Sequence, residues 1–329
     1  MSDDKSRVKR RRTIYSPSSD TDADQRVRRS SIWFDDGNIV IIAEDTHFKI
    51  YGGWLSSRFA SIAFADMLSQ TSPTDLLDGC RILRLSDSAD DITHLLNALL
   101  DRRYFRDEGS QPFPIVKALL RLGKKYGIDH LWEDAKSRLQ TDFPHRLEEW
   151  DEMAGWVAIS GSLSVQIDAI GLAWETGLLS ILPAAFYSCC YEKDYLEVAF
   201  TGSRRPDGSI ARLSQEDQAR FGKGRRELLR AQAKYSFSWL DPENLTNNPT
   251  GCVTVIGCRK VKDNLFRRLW SPVPDVWALE AWNVEWEVDL CSHCTTSAKK
   301  SFINGQKQIW DELPAIFELP PWAELMREP

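Results

Sequence analysis

The apolar residues in the first half of the chain change their repeat several times, and this alternation constrains the fold more than any other feature. Residues 39–50 contain two strand-like runs separated by Glu44 and Asp45, which predicts a β-hairpin. Residues 55–68 predict one or two short helices, and residues 81–85 alternate again as a third strand. Strands interleaved with helices in this way indicate an α+β domain.

Helical patterns follow the third strand. Ser88 and Asp91 form a capping box, and the apolar residues after it have the spacing of one buried helix face: Ile92, Leu95, Leu96, Leu99 and Leu100. A second stripe at helical spacing consists of Ile115, Leu119, Leu122 and Tyr126. A third helix is expected from Asp129, with Leu131, Ala135 and Leu139 pointing inward. The last two helices are predicted to form an antiparallel pair.

Beyond Pro144 the strand patterns largely disappear. Residues 164–174 and 178–190 are predicted helices separated by Gly177, and a long helix is expected from Ser214 towards Lys234. The loop of residues 202–209 is rich in Gly, Pro, Asp and Ser, which favours a boundary there. We therefore divide the chain into a disordered basic tail (1–30), an α+β domain (31–145), a helical extension (146–201) and a C-terminal helical region with Cys and Trp (202–329).

Charge is distributed unevenly. Residues 1–30 carry nine Lys and Arg against five Asp and Glu, whereas the remaining residues carry 33 against 43. An acidic body is repelled by phosphate backbones, so we expect protein partners rather than nucleic acid. The run Lys9, Arg10, Arg11 and Arg12 suits a nuclear import receptor, and a plain solvated tail is the alternative.

Several classes of protein are not favoured. The longest charge-free apolar stretch, residues 177–191, is shorter than the roughly 20 residues of a spanning helix and contains Pro183. The N-terminus lacks the apolar core of a secretory signal, so we expect an intracellular protein, nuclear or cytoplasmic. Its seven Cys are an odd number in a large chain, which argues against a disulfide framework.

Several stretches of sequence resemble one family. They are residues 36–41 (DGNIVI), 64–67 (FADM), 84–88 (RLSDS), 95–105 and 119–131 (LLRLGKKYGIDHL). Together with the order of elements, they resemble the BTB/POZ domain, in particular the divergent form of mushroom-forming fungi. Downstream stretches of the same kind are residues 182–190, 237–240 and 290–294, so the resemblance covers most of the chain.

The resemblance implies a protein–protein interaction adaptor rather than an enzyme. In that family the partners are a second BTB copy, transcriptional regulators or a cullin scaffold of a ubiquitin ligase. Two features depart from the family: Tyr51 stands where a His is usual, and the helix after Leu55 is longer before Phe64. The loop between Ser69 and Gly79 lacks the apolar-x-Glu pattern of many cullin-binding members, so the sequence does not support a cullin partner.

One group of residues has metal-ligand spacing. Cys252 and Cys258 are followed, after 32 intervening residues, by Cys291 and Cys294, and four thiolates suit tetrahedral Zn²⁺. The five residues between Cys252 and Cys258 exceed the usual two to four, so four buried core thiols are the alternative. If zinc binds, we expect it to be structural. With the basic tail, such a unit would also suit a nuclear regulator that contacts DNA, which is the alternative function.

Other features of the sequence favour a structural role over a catalytic or cofactor-binding role. The last sixty residues contain six of the thirteen Trp, and we expect them mainly in the core rather than at an interface: Trp270, Trp277, Trp282, Trp286, Trp310 and Trp322. The pair Cys189 and Cys190 lies in an apolar helix, where burial would raise the thiol pKa. Gly222 and Gly224 begin a dinucleotide-like pattern, but no strand precedes them. No catalytic motif is found, so no catalytic residue and no organic cofactor are predicted.

Overall fold

The computed structural model describes residues 28–57, 62–72, 74–101, 103–106, 109–153, 155–162, 164–191, 194, 196–241, 251–271 and 274–327. The predicted tail up to residue 27, with the basic run Lys9 to Arg12, lies outside the described residues.

The N-terminal part is built on a sheet with the strand order β1-β3-β2-β5-β4. Its strands are β1 (Arg28–Trp33), β2 (Ile39–Ala43), β3 (Thr46–Ile50), β4 (Leu76–Leu77) and β5 (Cys80–Leu85). The predicted hairpin is confirmed, because β2 and β3 pair antiparallel through a turn in which Glu44 has a φ of 52°. Strand β5 lies parallel to β2, so the chain must cross back between them, and helical segments occupy that connection.

Helices cover this sheet. Their bounds are α1 (Gly52–Ser57), α2 (Ile62–Gln70), α3 (Ala89–Leu100), α4 (Arg103–Arg106), α5 (Phe113–Tyr126) and α6 (Asp129–Asp142). The predicted cap of α3 is confirmed, since the Ser88 side chain accepts a hydrogen bond from the Asp91 N–H. Helices α5 and α6 pack so closely that a Cβ on Gly123 would lie 2.9 Å from the Trp132 nitrogen. Gly127 ends α5 in the left-handed region, at φ 64°.

The rest of the described chain is mostly helical. It contains α7 (Leu147–Glu152), α8 (Ser164–Thr176), α9 (Leu182–Tyr191), α10 (Gln215–Lys234), α11 (Val255–Trp270), α12 (Ser292–Ile316) and α13 (Trp322–Leu325). Its strands are two residues each: β6 (Gln111–Pro112) pairs with β7 (Ile159–Ser160), and β8 (Ser203–Arg204) pairs with β9 (Ile210–Ala211). The predicted mixed α+β class with a helical C-terminal region is therefore confirmed.

Two clusters of buried side chains hold these elements together. The larger runs from Ile32 in β1 to Leu325 in α13 and takes residues from all three predicted folded segments. The smaller lies in the C-terminal region and is rich in aromatic rings: Phe237, Trp239, Leu240, Leu265, Leu269, Trp286, Ala298 and Phe302. Every ring contact around Phe237 in this cluster is edge-to-face, with centroids 5.2 to 5.3 Å apart. The larger cluster extends across the boundaries predicted after residues 145 and 201.

Some details differ from the sequence predictions. Strand β1 begins at Arg28, inside the segment assigned to the tail, because residues 28–33 pair with β3. Leu100, the last residue of α3, is 39% exposed, whereas the adjacent Leu99 is buried in the core. Trp282 and Trp286 do not share an α-helix, and only a short 3₁₀ segment (Val284–Glu287) forms between Asn283 and Val288.

The expectation that the Trp residues are mainly core is confirmed where they are described. Trp286 and Trp310 are each 4% exposed, and the other four predicted Trp residues are partly buried against the two clusters. Within the described part of the chain, no helix combines the length and the apolar character needed to cross a bilayer.

Candidate metal centre

The four predicted cysteine ligands are brought together by the starts of two helices. Cys252 lies just before α11 and Cys258 lies in its first turns, whereas Cys291 is the N-cap of α12 and Cys294 lies in its first turn. All four Sγ atoms lie within 4.8 Å of one another. The predicted convergence of these residues is confirmed.

The distances fit a tetrahedral site. With Zn–S bonds of about 2.3 Å, the edge of the sulfur tetrahedron is about 3.8 Å. The Sγ atoms of Cys252 and Cys291 are 3.8 Å apart, and because no two of the four lie more than 4.8 Å apart, a contraction of at most about 1 Å is needed. Four thiolates would fill the tetrahedron, so the donor set is suited to a structural metal rather than to one that activates water.

The unusual spacing between Cys252 and Cys258 has a local explanation. The chain turns at Thr254 and α11 begins directly after it, so the Cys258 N–H donates to the Thr254 carbonyl at 2.8 Å. One helical turn thus takes up the additional residues and returns the Cys258 side chain towards Cys252. The hydroxyl of Thr254 forms a hydrogen bond of 3.3 Å with the Cys258 Sγ and makes no capping hydrogen bond to the helix. Sequence reasoning missed Thr254, although a Thr before a helix start is a recognisable signal.

Backbone groups favour negative charge on the sulfurs. Hydrogen bonding from the backbone N–H groups of Cys294 and Val253 lowers the pKa of the Cys291 thiol to about 6. The Cys291 N–H itself donates to the Cys258 Sγ at 3.3 Å. Both α11 and α12 also direct the positive ends of their dipoles at the cluster, which stabilises thiolates.

Burial and close packing of the sulfurs raise the pKa of two neighbouring thiols. Burial raises the pKa of Cys252 and, together with the adjacent sulfurs of Cys252 and Cys291, raises that of Cys294. Four thiols packed this closely cannot all ionise unless a cation compensates their charge. A divalent metal would supply that compensation.

The cysteines outside this centre have other surroundings. Cys189 and Cys190 are fully packed in the larger cluster, and burial raises the pKa of Cys190 well above its usual range, as predicted. Cys80 is buried and donates its S–H to the Gly37 carbonyl at 3.2 Å. His293, between two of the ligands in sequence, instead packs on Gly251, whose Cβ would lie 3.0 Å from the imidazole Nδ1.

The glycines of the dinucleotide-like pattern lie in the middle of α10 and have different structural roles. A Cβ on Gly224 would lie 2.2 Å from the Phe317 ring, so this glycine allows Phe317 to pack on the helix. Gly222 is exposed and has open space around it. Neither glycine precedes a phosphate-binding helix, in agreement with the sequence interpretation.

No family model, curated protein or solved structure matches this chain. The BTB/POZ resemblance therefore stays a prediction.

Proposed function

We propose that the chain is a protein–protein interaction adaptor that combines a BTB/POZ-like module at residues 31–145 with a zinc-stabilised C-terminal region. Its candidate roles are transcriptional regulation and recruitment of substrates to a ubiquitin ligase. Two features of the molecule support this function: the N-terminal sheet and the surface beside the cysteines.

The order of elements in the N-terminal part supports the BTB/POZ-like module. A hairpin, a helical crossover, a parallel strand and then a capped helix with a packed helix pair is the order that the resemblance implies. Arg121 in this part is engaged in the fold, because it binds Asp91 at 2.8 Å and also pairs with Glu175. Such ion pairs join α5 to α3 and α8, and they suit a rigid binding module.

The observation that carries the proposal is an exposed apolar surface at the start of α11. Val253, Val255 and Ile256 are 75%, 52% and 86% exposed, and they flank the cysteine ligands. Branched apolar side chains grouped in water are a feature of protein-binding surfaces. A zinc ion bound next to them would hold this surface in one conformation.

The adaptor proposal is tested by affinity purification of the full chain with mass spectrometry, using Ile256→Asp. Because Ile256 is exposed, the substitution should leave the stability unchanged and reduce recovery of the specific partners at least fivefold. The matched control is Leu196→Asp, another exposed apolar residue at 57%, which should keep the partners. Equal recovery with both variants would refute the assigned surface.

The identity of the partners distinguishes the candidate roles. A cullin indicates the ubiquitin-ligase role, chromatin proteins indicate transcriptional regulation, and recovery of a differently tagged copy indicates self-association through the BTB/POZ-like module. Light scattering of the purified chain measures that last outcome independently.

The zinc proposal is tested by metal analysis. Protein purified without added metal should contain about one zinc per chain, and Cys291→Ser should lose it. Cys80→Ser is the matched control, because Cys80 is a buried thiol outside the cluster. A zinc-free wild-type protein that also fails to bind added zinc would exclude the site.

A second candidate function rests on the charge of α11. Its exposed Arg259, Lys260, Arg267 and Arg268 give a basic face to an otherwise acidic body, which favours DNA contact as the alternative. If these residues contact phosphates, the affinity for duplex DNA should fall steeply with salt and with Lys260→Glu. Affinity that is absent or insensitive to salt removes this alternative.

A further inference from the structure

A cavity of about 610 Å³ lies between the middle and C-terminal parts of the fold, among residues other than the cysteine ligands. It is bordered by α7 and the loop after it, by α8, α9 and α12, and by residues 279–282. Its volume falls within the range of small-molecule sites. Four of the residues that line it are aromatic: Trp150, Trp156, Tyr191 and Trp282.

The tryptophan rings are held in place by other rings. Trp150 packs edge-to-face on Tyr187 with centroids 5.2 Å apart, and Trp156 packs in the same way on Phe143 at 5.5 Å. On the other wall, the Trp282 ring is 5.2 Å from Trp286. Rings fixed by their neighbours form a preorganised site, because they lose little conformational freedom when a ligand binds.

The charged residues that line this cavity, Asp151 and Glu280, are both acidic. Three other cavities lined by described residues each have at least one arginine in their lining: Arg212 and Arg220, Arg268, or Arg138. Burial, followed by the nearby Glu148, raises the pKa of Asp151, so a cation placed here would relieve an unfavourable negative charge.

We propose that this cavity binds an organic cation with a methylated ammonium group, such as the trimethylammonium group of a methylated lysine side chain or of a free choline-like molecule. Aromatic rings attract such cations through their negative faces, and quaternary ammonium is the ligand for which protein sites use several rings together. Asp151 and Glu280 compensate the charge, and Met153, Leu279 and Ile303 provide apolar contact for an alkyl stem. The proposal is independent of the metal centre and of the BTB/POZ assignment.

The first test measures binding of choline to the full-length protein by calorimetry or by tryptophan fluorescence. The comparison ligand is 3,3-dimethylbutanol, which has the same shape without the charge. If the site recognises the cation, choline should bind at least about fivefold more tightly than the neutral isostere. Equal affinity for the two, or no binding of choline and of trimethyllysine, overturns the proposal.

Variants separate the aromatic contribution from the shape of the cavity. Tyr191 is 49% exposed, so its replacement disturbs the core little. Tyr191→Leu should weaken cation binding about fivefold, whereas Tyr191→Phe should retain it. Glu280→Gln removes the charge at constant shape and should weaken binding, whereas Asp311→Asn, an exposed carboxylate outside the cavity, should not. Indifference of choline binding to both Tyr191→Leu and Glu280→Gln would place the bound cation elsewhere.

A final arm distinguishes the two sources of the ligand. A peptide with one trimethyllysine is compared with the unmethylated peptide and with free choline. Tighter binding of the methylated peptide than of choline assigns the site to a protein side chain, and the reverse order assigns it to a free small molecule. Binding of methylated and unmethylated peptides with the same affinity, together with failure of choline to bind, contradicts the proposal.

Discussion

At the scale of single residues, the buried carboxylate of Asp142 holds a loop beside the proposed cation site. This carboxylate is fully buried and accepts hydrogen bonds from the N–H groups of Val157, Ala158 and Ile159, at 2.7 to 3.1 Å. These bonds fix the segment that directly follows Trp156 of the proposed cation site. Burial raises the pKa of Asp142, and the three N–H groups oppose that effect.

Asp142→Ala should therefore lower the free energy of unfolding by about 2 kcal/mol, because it leaves buried N–H groups without an acceptor. The same variant should weaken choline binding. Urea denaturation measures the stability, and Asp311→Ala, an exposed residue, should change it by no more than about 0.5 kcal/mol. A loss of stability no larger than that of the control would show that these hydrogen bonds are dispensable.

At the scale of secondary-structure elements, replacement of two helical glycines by alanine should change the stability in opposite directions. A Cβ on Gly305 in α12 would lie 2.4 Å from the backbone of Tyr235 and Ser236, which cannot move aside as a flexible side chain could. Gly222 in α10 has nothing within 4 Å of its Cβ position.

Gly305→Ala should thus destabilise the protein by about 2–3 kcal/mol through overpacking. Gly222→Ala should stabilise it by about 0.5–1 kcal/mol, because alanine favours an exposed helix position. Thermal unfolding of the two variants beside the wild type measures the difference. Equal effects would mean that α12 does not approach residues 235–236 this closely.

At the scale of the whole molecule, the proposed metal centre and the two hydrophobic clusters predict that stability is distributed unevenly. The cysteines join the starts of α11 and α12, and both helices contribute to the smaller aromatic cluster. The larger cluster holds the sheet and the middle helices.

Removal of zinc by a chelator should therefore increase amide hydrogen exchange in α11 and in the first turns of α12, and leave β2, β3 and α5 protected. Mass spectrometry of the exchanged protein at peptide resolution measures this pattern. Uniform loss of protection would show that the two clusters unfold as one unit, and an unchanged pattern would show that no metal supports the C-terminal region.

The sequence by itself determined the features that depend on neighbouring residues. The hairpin around Glu44, the capping boxes at Ser88 and Ser214, and the left-handed helix ends at Gly127 and Gly177 are set by local backbone preferences. These features place most of the helices and the central strands. The paired spacing of the cysteines also indicated their cluster correctly, because each pair lies close to one helix start.

Only the tertiary structure decided which distant surfaces meet. The approach of Gly305 to Ser236, of Gly224 to Phe317, and of Trp150 to the segment of Trp282 joins residues far apart in sequence. No periodicity encodes such contacts, because they follow from how several apolar faces are buried at once. For the same reason the proposed cation site was not apparent from the sequence: its aromatic residues lie on separate elements, and packing alone brings them around one cavity.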